Sequence, residues 1–301
     1  MNSHTSRSPM LYTLSFLLVL ILGFAAFFSG VKVGADRVEA KYDGLKKGMG
    51  AEEFSGSYQQ QELVTFYHNV FLPYREFKRD WSVLSDKLAR SSSARERTAI
   101  LKSMEALADK QYAKVNRDAM YSNSPLLQEA QVLALKSLKL FSDASGGVKQ
   151  GATGAGTLKA LQTNTYATAG VKYGLQAQKA FYDSMLKWGA KANSAIPATT
   201  GDSRTVTLAE WKKMPLLLKN DHIAGMMLNR AIFQAYDPQD VTAKIDNLIQ
   251  SGTAAELKLG SVQSALNVLI STGAIQEQDF LKWQEQYYPN EIIPQVPFFY
   301  E

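Results

Sequence analysis

The chain has no cysteine among its 301 residues. That excludes a disulfide framework, a thiolate metal site and a cysteine nucleophile, and it leaves no residue to carry the lipid of a lipoprotein. Histidine is nearly absent as well, with His4, His68 and His222 the only three. There is no HExxH, no pair of histidines at metal spacing and no GxSxG, so neither a zincin-type centre nor a nucleophile elbow is expected. Asp237, Asp240 and Asp246 lack the spacing of a calcium-binding loop and read instead as helix N-terminal charges. No catalytic residue, cofactor site or metal ligand is predicted. Strand-like alternation is missing too, apart from short runs near 292–296, so the predicted class is all-α.

The most consequential gap is one of charge. Between Arg7 and Lys32 no side chain ionises, and within that gap Leu11, Phe16, Leu18, Leu20, Leu22, Phe24, Phe27 and Phe28 make an apolar run. As a helix rising about 1.5 Å per residue, residues 8–31 reach roughly 36 Å, enough to cross a hydrocarbon core of about 30 Å. The sequence therefore predicts a transmembrane anchor at 11–31 behind a short tail at 1–10. The rival reading is a cleaved signal peptide, with Val33 and Ala35 ahead of a cut before Asp36. The apolar run exceeds the roughly 7–15 residues of an ordinary h-region, and Lys32 sits awkwardly close to that cut, which favours a retained anchor.

Sidedness is the harder question. Lys32, Arg37, Lys41, Lys46 and Lys47 follow the span and, counted alone, keep the C-terminal side in the cytoplasm. The short tail before an apolar run has the layout of an export signal, and an extracytoplasmic C-terminal region is the expectation adopted. The same five bases, in a glycine-dotted stem at 32–57, are candidates for contact with anionic headgroups, the simpler alternative being a solvated stem.

Charge is divided unevenly along the rest. Residues 51–193 carry 19 basic and 13 acidic side chains, whereas residues 194–301 carry 8 and 12. Opposite signs suggest that the two segments dock on each other, or that the first faces an anionic surface. The bases are interleaved with acids, so no nucleic-acid stripe is expected.

Helical periodicity fills the remainder. Leu63, Val70, Phe77 and Leu84 recur every seven residues, and Tyr67, Tyr74, Trp81 and Leu88 recur offset by four. That stripe predicts a long helix whose aromatics are core, with Pro73 kinking or splitting it. His68 falls at the edge of the stripe. Further helices are predicted at 94–121, from Ser124-Pro125 to Ala144, and at 157–193, completing a bundle over 58–193. The last of these is rich in small residues, Gly170 and Gly174 among them, which let neighbouring helices approach closely, while the low helix propensity of the two glycines allows a break near them. GATGAG (151–156) is glycine-rich in the manner of a nucleotide-binding turn, but no strand precedes it and no Gly-Lys-Ser/Thr follows.

A linker at 194–206 leads to a predicted module of short helices at 207–288. Thr207/Glu210 and Thr253/Glu256 both read as capping boxes there. His222 follows Asp221, and adjacent helical residues point apart, so no base with an orienting carboxylate is expected. Glu52-Glu53 and Glu277–Asp279 read as solvated faces. The Pro/aromatic tail at 289–301 is non-helical and packs along the bundle, or else leaves Phe298-Phe299-Tyr300 free for a partner.

The expected function follows: a single-pass membrane-anchored protein, without catalytic activity, whose helical region serves protein interaction, scaffolding or self-association. The alternative is a ligand-sensing bundle signalling to a membrane partner, with a polar pocket between the long helices sought along 157–193, where Asn164 lies. A less favoured third reading, an envelope enzyme, would need a cleft gathering His222 with carboxylates from distant segments.

Overall fold

A computed structural model describes residues 57–118, 123–200 and 205–300. The anchor residues from Leu11 to Phe28 and the bases Lys32, Arg37, Lys41, Lys46 and Lys47 lie outside the described residues. Among the described residues the chain is helical throughout, without a strand; one isolated bridge pairs Thr207 with Ser261. No helix among them is long and apolar enough to cross a membrane.

Entry into the fold is clamped. Tyr58 adopts φ 57°, a left-handed conformation. Its amide donates to Ser124 Oγ at 2.6 Å, while Lys191 Nζ donates to the Ser57 carbonyl and Ser57 Oγ to the Asn123 carbonyl. Ser124 was expected to cap the helix that Pro125 starts. It does sit at that N-cap, but its hydroxyl is spent on Glu62 and Tyr58 instead.

Helix α1 (Gln60–Phe66) runs through a π turn (Tyr67–Phe71) into α2 (Leu72–Arg90). Pro73 was expected to kink or split this helix, and the π turn is how the chain answers it. The Leu72 amide donates to the Tyr67 carbonyl, five residues back, so the regular ladder is given up just ahead of the residue that cannot join it. The heptad stripe is core, as read. Leu63, Tyr67, Val70, Tyr74, Phe77, Trp81 and Leu88 are all buried.

Helices α3 (Ala94–Arg117) and α4 (Pro125–Gly147) follow, then α5 (Gly154–Gln162) and α6 (Thr165–Ala192). The expected helix over 157–193 is thus two helices. The break falls at Thr163-Asn164, because Asn164 Oδ1 accepts from the amides of Tyr166 and Ala167 and caps α6. Gly170 and Gly174 do not break the helix; they let neighbours in. A Cβ on Gly170 would stand 3.2 Å from the Phe141 ring, and one on Gly174 would stand 1.8 Å from Tyr74 Oη. Tyr74 Oη is hydrogen-bonded to Ser137 Oγ at 2.6 Å, and Ser137 Oγ donates to the Gly170 carbonyl, so α2, α4 and α6 meet at one buried polar knot. Gly174→Ala is expected to destabilise by about 1–3 kcal/mol through overpacking and loss of that hydroxyl pair. Gly225→Ala, where a Cβ would meet only Lys179 Cε at 3.4 Å, should be neutral or stabilising in the same urea titration.

GATGAG serves the same end. Thr153 caps α5 by accepting from the Gly156 amide, and a Cβ on Gly154 would lie 2.2 Å from the Leu88 carbonyl. The glycines seat α5 against the end of α2.

Helices α7 (Leu208–Trp211), α8 (Leu216–Asn229), α9 (Pro238–Gln250), α10 (Thr253–Glu256), α11 (Val262–Ser271) and α12 (Asp279–Tyr287) complete the chain, before a 3-10 turn at Pro297–Phe299. Thr207/Glu210 forms its capping box. Thr253/Glu256 does not: the N-cap is Gly252 at φ 82°, and Thr253 is already inside the helix. Asp279, read from the sequence as part of a solvated face, is buried and accepts from the Gln276 amide. Pro294, Val296, Phe298 and Phe299 are buried while Tyr300 is exposed, so the aromatic part of the tail packs into the core. One hydrophobic cluster joins the bundle to Leu216, Leu217, Phe280, Val296 and Phe298, and a second gathers around Trp211, Ile223, Val241 and Leu266. Residues 57–301 form one compact unit.

Candidate functional site

A groove of about 1010 Å³ lies between α2, α5 and α6, closed at one side by the turn after α8. Trp81, Phe141, Leu161, Val171, Leu175 and Phe233 form its apolar walls. Gly170 lets α6 approach Phe141 of α4, and the small side chains of Ala167 and Ala169 on the same helix line the groove. Ala231, on the lip, is held at φ 52°. A left-handed alanine costs roughly 1–2 kcal/mol, and such outliers concentrate at binding sites. Asn164, expected inside a pocket on this helix, is a cap instead and does not line the groove.

Lys78 lies at the groove floor, 4% exposed. Its Nζ donates to Asp237 Oδ1 at 2.8 Å, Gln178 Oε1 at 3.2 Å and the Tyr236 carbonyl at 3.4 Å, which uses all three of its N–H groups. Asp237 also pairs with Arg75 at 2.5 Å. Burial pushes the Asp237 carboxyl up, but Arg75 and Lys78 outweigh it and hold the group below the usual carboxylate range. Three residues on, Asp240 accepts from the amides of Asp237 and Phe280. Asp237 and Asp240 do sit at the N-terminus of α9 and form a capping box, as the sequence suggested. Asp246 does not. It lies late in α9, accepting from Trp211 Nε1, Lys219 Nζ and Tyr288 Oη in a buried knot that ties α7, α8 and the chain after α12 together.

Asp240 is pushed up to about 7, first by burial and then by the Asp237 carboxylate. The native state therefore holds this proton when the unfolded chain, titrating near the ordinary aspartate value of 3.8, has released it. Stability falls as pH rises from about 4 to about 7, by up to about 1.4 kcal/mol per pH unit from this group. Asp240→Asn is expected to flatten that slope, read from urea midpoints at several pH values across the window. Equal slopes in the two proteins would show that Asp240 stays ionised.

A second, polar pocket of about 470 Å³ lies between α6 and α8. Asp221 and His222 both line it, although adjacent helical residues were expected to diverge, and Lys179, Asp183 and Thr200 join them. Lys179 Nζ bridges Asp183 and Asp221 (2.9 Å to the latter), and Thr200 donates to Asp221 Oδ2. Burial, with the Asp183 carboxylate adding, raises Asp221 above the usual range despite Lys179. Burial and the Lys179 charge lower His222, so it is neutral at physiological pH. Its Nε2 is buried and has no partner among the described residues. His68 is exposed, edge-on to Tyr67. Among the described residues no group of three or more His, Asp or Glu side chains is placed to hold a metal.

Sequence reasoning missed the pairing of Lys78 with Asp237, which are 159 positions apart. It missed Thr200 as well. The small-residue run of α6 does line a groove, but one with apolar walls where a polar pocket was expected. Comparison with known proteins yields no match to a family model, a curated protein or a solved structure.

Proposed function

We propose that the chain is a single-pass membrane protein, tethered by residues 11–31, whose extracytoplasmic helical region is a non-catalytic binding module with the groove as its ligand site. The groove carries this reading. Its volume lies at the upper end of small-molecule sites, its walls are apolar and aromatic, and its one buried cation has no donor to spare. The uncharged stretch from residue 8 to residue 31 supports the tether, and the five bases after it support contact with anionic headgroups. Docking of a protein partner or of a second copy remains the companion proposal, with the groove as its seat. A catalytic reading has the polar pocket in its favour, since His222 meets carboxylates from two helices there. Burial and the Lys179 charge, which both lower His222, weaken that histidine as a base.

The tether is tested on the full chain in membranes. Resistance to alkaline extraction, loss of that resistance on deleting residues 1–31, and digestion of the 57–301 region by protease added from outside are the expected results. Protection from external protease would place the helical region in the cytoplasm and overturn the assignment.

A further inference from the structure

We infer that the occupant of the groove is the acyl chain of a lipid, a conclusion that rests on the tether reading above and names its ligand. Length is the first argument. Along α2 the groove runs from Lys78 to Asp86, and along α6 from Thr165 to Gln176, or about 12 and 17 Å at the helical rise. One leaflet of a bilayer whose hydrocarbon core is about 30 Å thick holds chains reaching about 15 Å.

Shape is the second. The groove is elongated and bounded along its length by α2 and α6, with Trp81, Phe141 and Leu161 on its walls, so an extended hydrocarbon chain can lie along it.

Polarity is the third. The floor offers no free charge, because Lys78 is saturated by Asp237, Gln178 and the Tyr236 carbonyl. Lys172 and Asp86 are the charged groups on the rim, one of each sign, beside hydroxyl and amide side chains such as Ser85, Thr168 and Gln234. That rim suits a neutral or zwitterionic headgroup left in water while its chain enters between Trp81, Phe141 and Leu161. An anionic ligand finds no unspent cation inside.

The test uses the full chain in membranes supplemented with a phosphatidylcholine carrying a photoactivatable diazirine on one acyl chain. After irradiation, labelled peptides are mapped by mass spectrometry. The expected result is label on peptides covering 78–86 and 158–176 as well as on 11–31. Ser85→Trp and Thr168→Trp each fill the groove from its rim, and each should cut groove label at least fivefold while label on 11–31 stays unchanged. Unchanged urea midpoints for the two variants show that the fold is intact. Label confined to 11–31 overturns the acyl-chain inference and leaves the tether standing. Groove label that both variants leave unchanged also overturns it. Absence of label from both regions overturns the tether and the inference together.

Discussion

Asp237→Ala lowers the unfolding free energy by about 3–5 kcal/mol, the cost of breaking a buried ion pair by removing one partner. The carboxylate is fully buried, and it is the partner of both Arg75 at 2.5 Å and Lys78 at 2.8 Å. Without it, two cations stay in the interior with only neutral acceptors near them. Lys78 keeps Gln178 and the Tyr236 carbonyl, while Arg75 keeps only a long contact with Tyr67 and its position over the Phe298 ring. Asp240 is close by, but burial works to keep it protonated, so it is a poor substitute. The same aspartate caps α9, which adds about 1 kcal/mol to the loss. For a folded unit of this size the change corresponds to roughly 10 °C or more in melting temperature. Asp237→Asn keeps the cap and removes the charge, so it should recover the smaller part of the loss. If both variants unfold within about 1 kcal/mol of the parent, the pair is solvated and the burial assigned to it is wrong.

Phe298→Ala costs about 3–5 kcal/mol, as for a large aromatic lost from a packed core. Phe298 lies between Tyr67, Phe71, Phe181 and Tyr182, with ring centroids 5.5 to 6.3 Å apart, and Arg75 stands 5.8 Å above its face. Its neighbours belong to the π turn and to α6, so the cavity cannot close without moving two elements that are themselves pinned. Phe298→Leu should recover most of the loss by refilling volume, though not the aromatic edge contacts. Tyr300→Ala, at an exposed position two residues on, is the control and should change stability by less than about 0.5 kcal/mol. Should Phe298→Ala behave like Tyr300→Ala in a urea titration, the tail is a loose appendage and its docking is refuted. The pair matters for function because Arg75 connects the tail's aromatic cluster to the ionic floor of the groove.

The seven-residue stripe of α1 and α2 was legible because local periodicity alone decides which face of a helix is apolar. Caps were legible where a side chain reaches its own helix, as Thr207 with Glu210. They failed where tertiary partners competed for the same atoms. Ser124 spends its hydroxyl on Glu62 and on the Tyr58 amide, and Gly252 takes the cap that Thr253 was expected to hold. Glycine was legible in part. The small residues of 157–193, Gly170 and Gly174 among them, announced a close approach of neighbouring helices, but not which side chains approach, and the break that their low propensity suggested falls at Thr163-Asn164 instead. The expectation that Asp221 and His222 diverge failed, since both line one pocket between α6 and α8.

By itself the sequence determined an all-helical chain without disulfides or thiolate chemistry, and an uncharged run from residue 8 to residue 31 long enough to cross a bilayer. Composition and periodicity are local properties, and local properties suffice for those statements. Only the tertiary structure decided where the groove lies, that Lys78 at its floor is already saturated, and that the aromatic tail is core. Each of those depends on pairs such as Lys78 with Asp237, whose distance along the chain carries no trace of their distance in space. Burial then sets the charge state and availability of the paired groups.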